Sequence, residues 1–193
     1  MNVGIIGVGR IGEMHLRNIL QYFPWIKVTG LIDPALSDRV LDLVDNKDNI
    51  HYNIDEMLRD AKIKAVIICS PTPSHFETII KCASHKKHIF CEKPLSFSEN
   101  ELKEIISLGE KENISIQVGL NRRFDNDFIL MKKKIDSGLV GAIQMIHITN
   151  HDSNPPKYKF LKSSGGMLLD LCIHDFDMLN FLFPCDAIHV YVM

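Results

Sequence analysis

Met1-Asn2-Val3-Gly4-Ile5-Ile6-Gly7-Val8-Gly9-Arg10-Ile11-Gly12 opens the chain. An apolar run with strand character passes straight into Gly-x-Gly-x-x-Gly, and a helical pattern follows with Ile11, Met14, Ile19 and Leu20 on its apolar side. A second apolar run, Val28-Thr29-Gly30-Leu31-Ile32, ends on a carboxylate, Asp33, twenty-one residues after Gly12. Strand, glycine turn, helix and spaced acid in that order predict a dinucleotide-binding unit. Gly7 permits the tight turn out of the strand. Gly9 lets the backbone approach a pyrophosphate with no Cβ in the way, and Gly12 lets the helix pack close to the sheet. The helix start at Arg10 and Ile11 offers free N–H groups and a positive partial charge to the phosphates. Asp33 can accept hydrogen bonds from both adenosine ribose hydroxyls and would repel a 2′-phosphate, so NAD is favoured over NADP. The glycines alone would describe only a turn before an ordinary helix.

With 193 residues, the chain has enough length for one good core, or for one domain and part of another. A net charge of −2 gives no global pull toward nucleic acid or a membrane surface. No apolar stretch approaches the roughly 20 residues needed to span a bilayer. The first strand begins almost at Met1, which leaves no room for a signal peptide before it. Five cysteines, at 69, 82, 91, 172 and 185, form no Cys-x-x-Cys pair, and their odd number argues against a disulfide framework. A cytoplasmic setting is expected.

Strand-like and helix-like runs alternate to about residue 120. Helical patterns cover 35–44 and 54–60, and Ile50-His51-Tyr52 reads as a short strand. Ala65-Val66-Ile67-Ile68-Cys69 is almost wholly apolar, as a parallel strand buried on both faces should be. Ser74-x-x-Glu77 and Ser98-x-x-Glu101 are capping-box patterns that open the next two helices. His88–Cys91 and 114–118 supply the last two strands. The expected fold is α/β, a doubly wound parallel sheet over 1–120. After that the pattern changes. A helix over about 125–136 leads to an alternating strand at 142–149, a loop from His151 to Ser164, a long apolar helix over 167–183 and a strand from Asp186. Residues 121–193 therefore read as the opening of an α+β domain with a different sheet.

Four groups of residues could do chemistry. Glu92-Lys93-Pro94 sits past the carboxyl end of a parallel strand, where open α/β sheets bind ligands. A lysine beside a cationic nicotinamide would have a lowered pKa and suit a substrate hydroxyl, although position alone favours a surface Lys-Pro. Asp170 and His174 stand at i and i+4 of the long helix, about 6 Å apart along its axis. A histidine there can take the proton of an alcohol, with the acid orienting its ring. A solvent-facing polar stripe is the competing reading. Arg122 and Arg123 follow the last strand of the first unit, and one of them could hold substrate hydroxyls. An Arg–Asp tie is the alternative. Ser70-Pro71-Thr72-Pro73-Ser74-His75 lies beyond another strand end and could line a cofactor cleft; for His75, capping or packing is as good a reading. The other histidines lack metal-ligand spacing, so no metal is expected.

Taken together, Gly7-x-Gly9-x-x-Gly12, Asp33, Ser70-Pro71-Thr72-Pro73-x-His75, Glu92-Lys93-Pro94, Arg122-Arg123-Phe124-Asp125 and Gly165-Gly166-x-x-x-Asp170-x-x-x-His174-Asp175-x-Asp177 resemble the glucose–fructose oxidoreductase/inositol dehydrogenase (Gfo/Idh/MocA) family. Asp152, Pro155-Pro156 and Ser164-Gly165-Gly166 look most like its inositol 2-dehydrogenase branch. His151 and Phe160 depart from it, standing where arginine and tyrosine are common. The resemblance implies a Rossmann domain that binds NAD(P). It implies oxidation of a cyclic polyol or sugar hydroxyl to a ketone, with hydride passing to the nicotinamide. Lys93, Asp170 and His174 match the family's catalytic positions. His174 would be the base, Asp170 its partner and Lys93 a substrate-hydroxyl ligand. Gly7, Gly9, Arg10, Ile11, Gly12, Asp33, Ser70, Pro71, Thr72, His75, Glu92 and Lys93 would meet the cofactor. Arg122, Asp152 and His174 would meet substrate. Family members run well beyond 193 residues, and their second domain completes a mostly antiparallel sheet that also forms an oligomer interface. The resemblance therefore implies a truncated second domain: a fragment, a truncated reading frame, or a chain that needs a homo-oligomer or partner chain to finish its sheet.

Overall fold

The computed structural model describes residues 1–151, 154, 158–161, 164–184 and 186–191. They divide into two compact units, Met1–Gly119 and Leu120–Met193.

In the first unit, five strands form one parallel sheet: β1 (Asn2–Ile6), β2 (Lys27–Ile32), β3 (Ile63–Ile68), β4 (His88–Cys91) and β5 (Ile116–Val118). Their order is β2-β1-β3-β4-β5. The chain leaves β1 for β2 on one side and reaches β3 on the other, so a topological switch point lies between β1 and β3. Helices α1 (Arg10–Tyr22), α2 (Asp38–Leu41), α3 (Ile54–Arg59), α4 (His75–Ser84) and α5 (Glu99–Glu112) connect the strands. Side chains alternate across the sheet. Val3, Ile5 and Leu31 pack with Leu16, Ile19 and Val40 from α1 and α2. Ile6, Val66, Ile68 and Ile89 pack with Met57, Ile79, Cys82 and Ile105 from α3, α4 and α5. Helices cover both faces, which is why the central strands read as unbroken apolar runs.

Local signals explain most boundaries, and some expectations need correction. Asn53 caps α3 by accepting from the N–H groups of Asp55 and Glu56. Ser98 accepts from the Glu101 N–H at 3.5 Å, but the Glu101 carboxylate accepts from Ser96 instead of returning to Ser98. Ser74 makes no capping bond to α4; its hydroxyl donates to the Pro71 carbonyl at 2.8 Å. The expected strand at 50–52 reduces to one bridge, Leu31 to Ile50, because a 3-10 turn at Lys47–Asn49 and the α3 cap leave room for no more. The helix expected over 35–44 contracts to Asp38–Leu41.

Burial sets the chemistry of the thiols in this unit. Burial, with the Glu92 carboxylate adding to it, pushes the Cys69 thiol up to about 12. Burial also pushes Cys82 up to about 12 against the opposing charge of Lys87, and raises Cys91. A raised thiol pKa starves the reactive thiolate. At pH 8, iodoacetamide should therefore label Cys69 about a thousandfold more slowly in the folded chain than in urea, where the thiol returns to about 8.5. Mass spectrometry of the Cys69 peptide over time measures both rates. Equal rates would contradict the burial seen here.

The second unit contains a 3-10 turn at Asn121–Phe124 followed by α6 (Asn126–Asp136), α7 (Tyr158–Leu161), α8 (Met167–Asp170) and α9 (Ile173–Leu182). Asp125 caps α6 through the N–H groups of Asp127 and Phe128. The antiparallel strands expected at 142–149 and from 186 are not formed among the described residues, and Ile143, Met145, Ile146 and Ile148 are exposed. Alternation makes a strand only when a neighbour supplies the hydrogen-bond ladder, and no described segment of this unit does so. The single helix expected over 167–183 is two. Cys172 N–H reaches back to the Met167 carbonyl at 3.0 Å, a wider turn than an α-helix makes, and α9 restarts after it.

Candidate active site

The glycine loop follows β1 at the switch point, and each glycine has a distinct constraint. Gly7 has φ +84°, and a Cβ there would lie 2.4 Å from the Ser70 nitrogen, against the chain leaving β3. A Cβ on Gly12 would lie 2.0 Å from the Gly7 carbonyl oxygen. A Cβ on Gly9 would meet nothing within 4 Å. No side chain caps the N-terminus of α1, which begins at Arg10. Unsatisfied N–H groups beside open space are what a pyrophosphate requires, so these residues fit a dinucleotide. Glu13, the acid of that first turn, is drawn off by Arg17 at 2.8 Å.

Asp33 closes the loop from the β2 side. One carboxylate oxygen accepts from the Val8 N–H at 2.7 Å, and the other from the Ala35 N–H at 2.8 Å. The acid therefore holds the loop through both of its oxygens. Each oxygen keeps a second lone pair for a hydroxyl.

Ser70 and Glu92 continue the same edge beyond β3 and β4, where Cys69 N–H bonds the Ile6 carbonyl at 2.7 Å and Glu92 N–H bonds the Ile68 carbonyl at 2.9 Å. The Ser70 and Ser74 hydroxyls lie 2.8 Å apart, which pins Pro71 and Thr72 in a tight turn. Lys93 is half-buried, and the Lys93–Pro94 peptide is cis. His75 is buried, with Nδ1 2.8 Å from the Pro94 carbonyl oxygen and Nε2 2.7 Å from that of Ser70. Its ring is taken up by these two carbonyls, which is the packing role the sequence also allows. His15 was not singled out in the sequence. From α1 its Nε2 reaches Glu92 Oε1 at 2.8 Å, with its ring edge-on to Phe90. The signal would have been a histidine on the sheet-facing side of the first helix, but its partner is 77 residues away.

In the second unit, Arg122 donates to Asp175 at 2.6 Å, and Asn150 approaches the same carboxylate at 3.3 Å. Arg123 is bidentate on Asp177 and lies 5.7 Å from the centre of the Phe181 ring. The hydrogen bond Arg123 donates to Asp177 raises the Arg123 pKa and fixes its charge. Both arginines thus anchor the turn after Gly119 to α9. Asp170 closes α8 and His174 lies in the first turn of α9, so the continuous helix face expected to carry them is interrupted at Leu171 and Cys172. Asp152 lies outside the described residues. Among the described residues, no group of three His, Cys, Asp or Glu side chains could hold a metal, and no helix is long and apolar enough to cross a membrane.

A parallel doubly wound sheet, with a glycine loop at its switch point and an acid closing it, defines the dinucleotide-binding class of α/β proteins. Residues 1–120 match the family described as "Oxidoreductase family, NAD-binding Rossmann fold", and residues 128–193 match "GFO/IDH/MocA C-terminal domain". The chain belongs to the Gfo/Idh/MocA oxidoreductase family. It is 39% identical over 190 residues to the uncharacterized oxidoreductase YrbE of Bacillus subtilis, covering 97% of this chain and 55% of that protein. It is 35% identical over 184 residues to the myo-inositol 2-dehydrogenase of Thermotoga maritima, covering 94% of this chain and 54% of that protein. The crystal structure of a probable dehydrogenase from Thermotoga maritima superposes with a TM-score of 0.88 at 33% identity, over 95% of this chain and 55% of the other. The chain spans about half the length of the relatives it matches.

Proposed function

We propose that the chain carries the cofactor half of an NAD-dependent dehydrogenase that oxidises a hydroxyl of a cyclic polyol or sugar to a ketone. Residues 1–120 are read as the NAD-binding domain and 121–193 as the first part of the substrate domain. One observation carries the reading: the open, uncapped α1 N-terminus beside Gly9, with Asp33 locked across the loop. The name of the Thermotoga maritima relative supports an inositol-like substrate.

When bound, the nicotinamide supplies the hydride acceptor. The chain's residues do the rest. The glycine loop and α1 hold the pyrophosphate, and Asp33 takes the ribose hydroxyls. Ser70, Pro71, Thr72 and Glu92 line the carboxyl edge of the sheet. Lys93 donates to the reacting hydroxyl oxygen. His174 accepts the hydroxyl proton while the carbon gives up its hydride, and Asp170 stabilises the ring as it becomes cationic. Arg122 and Asp152 bind further substrate hydroxyls; for Arg122 that role sits on top of its bond to Asp175.

Calorimetry with NAD, then NADH formation from myo-inositol and a panel of sugars, tests the reading. No NAD binding at millimolar concentration would end it. NAD binding with no turnover on any polyol would leave a cofactor-binding module instead. Asp33 gives a sharper test. Replacing it by alanine should weaken NAD binding about 10²- to 10⁴-fold, because each of two bonds to an ionised acceptor contributes roughly 1.5–3 kcal/mol. It should also narrow the preference over NADP. Asp33→Asn should cost the fold less, since its amide oxygen can still accept from Val8. Unchanged NAD affinity in the alanine variant would refute the ribose role.

A further inference from the structure

His15 lies in the second turn of α1, and its Nε2 stands 2.8 Å from Glu92 Oε1, just past the end of β4. An ionised carboxylate only accepts, so the hydrogen of this bond is carried by Nε2 in the neutral and the cationic ring alike. Phe90 meets the same ring edge-on, with centroids 5.2 Å apart. Phe90 and Glu92 are two residues apart and share one face of the sheet, so a single side chain from α1 touches both. A third element closes around the carboxylate. A Cβ on Gly119, the residue after β5, would lie 3.1 Å from Cδ and from both carboxylate oxygens of Glu92. We propose that His15 is a positioning residue for Lys93: together with Gly119 it fixes the Glu92 side chain, and with it the segment from which Lys93 projects. The proposal rests on reading Lys93 as the group that meets the substrate hydroxyl.

The backbone around the carboxylate is already held. Glu92 N–H bonds the Ile68 carbonyl at 2.9 Å, and Gly119 N–H bonds the Cys91 carbonyl at 2.8 Å. These bonds tie β3, β4 and β5 together but leave the Glu92 side chain free to change rotamer. The bond from His15 removes that freedom. The two side chains are 22% and 21% exposed, so water screens the pair in part and its contribution to stability is small. Its use is geometric. With its backbone tied to β3 and its side chain tied to α1, residue 92 gives Lys93, the next residue, a fixed start. One helix then serves two ends of the site. Its first turn offers N–H groups to a pyrophosphate, and its second turn sets the residue before Lys93. A plain surface pair would add a little stability, and Lys93 would not register its loss.

Variants of the full chain decide this. His15→Phe keeps a ring against Phe90 and removes the donor, whereas His15→Gln keeps a donor. Gly119→Ala presses on the same carboxylate from another side. The carboxylate ends a flexible side chain and can turn to water, so His15→Phe and Gly119→Ala should both fold, as circular dichroism will show. Lys93 is followed by its dimethylamine carbon-13 signal after reductive methylation, assigned with Lys93→Arg. The signal should shift in His15→Phe and in Gly119→Ala, and return toward its parent position in His15→Gln. The double variant should shift it no further than the larger single change, because both release one carboxylate. An unmoved signal in folded His15→Phe overturns the proposal, as do shifts that add in the double variant. If His15→Phe does not fold, Gly119→Ala decides by the same criterion. None of these readouts needs turnover. Loss of the dehydrogenase reading would leave the clamp on Glu92 standing, and an unmoved Lys93 signal would end the positioning role without touching the dehydrogenase.

Discussion

Gly12→Ala should unfold a large fraction of the protein, although alanine is the better helix former by about 1 kcal/mol. The sign is decided by one contact. The added Cβ would sit 2.0 Å from the Gly7 carbonyl oxygen and 3.0 Å from its carbon, and both are backbone atoms. They cannot rotate away. Gly7 is itself pressed against the chain after β3, so the loop cannot retreat. Helix α1 must lift off the sheet, pulling Leu16 and Ile19 out of the core they share with Val3 and Ile5. A destabilisation above about 4 kcal/mol is expected, a large part of the 5–15 kcal/mol that holds most domains. Urea unfolding followed by circular dichroism measures it. Gly9→Ala is the control: its Cβ enters open space, so the fold should survive while NAD affinity falls, because the methyl occupies the phosphate approach. If Gly12→Ala melts like the parent chain, the close packing described here is wrong.

That contrast also shows which parts of the fold were legible. Gly7, Gly9 and Gly12 answer local constraints that the pattern states directly: a turn, an approach and a close packing. The parallel sheet was legible for a similar reason, because runs such as Ala65–Cys69 are apolar at successive positions and so need cover on both faces. The failures share a different cause. Residues 142–149 alternate as a half-buried strand should, but alternation says nothing about whether a ladder partner exists. The break at Leu171 and Cys172 has no glycine or proline to announce it. The ties of His15 to Glu92 and of His75 to Ser70 and Pro94 depend on segments that only the sheet order brings together. Candidate residues could thus be chosen by type and place, but not their partners. Arg122 shows the consequence, since Asp175 already holds it.

Replacing His174 by asparagine should have the second large effect, and a different signature. Asparagine keeps a polar side chain but cannot take a proton near neutrality. A general base contributes about 10²- to 10⁴-fold, so kcat for a polyol should fall by that factor, roughly 3–5 kcal/mol of barrier. NAD affinity should change by less than about twofold, because the glycine loop and Asp33 lie in the other unit. The pH dependence carries the sign. A base works only when unprotonated, so the rate should rise with pH in the parent chain and lose that limb in the variant. A merely structural histidine would instead lower stability and leave the shape of the profile intact. Asp170→Asn should fall between the two, keeping the limb but displacing it if Asp170 is the partner of the ring. A neighbouring carboxylate favours the charged ring, so its removal should move the limb to lower pH. A shift to higher pH would refute the Asp170–His174 partnership even if both variants were slow.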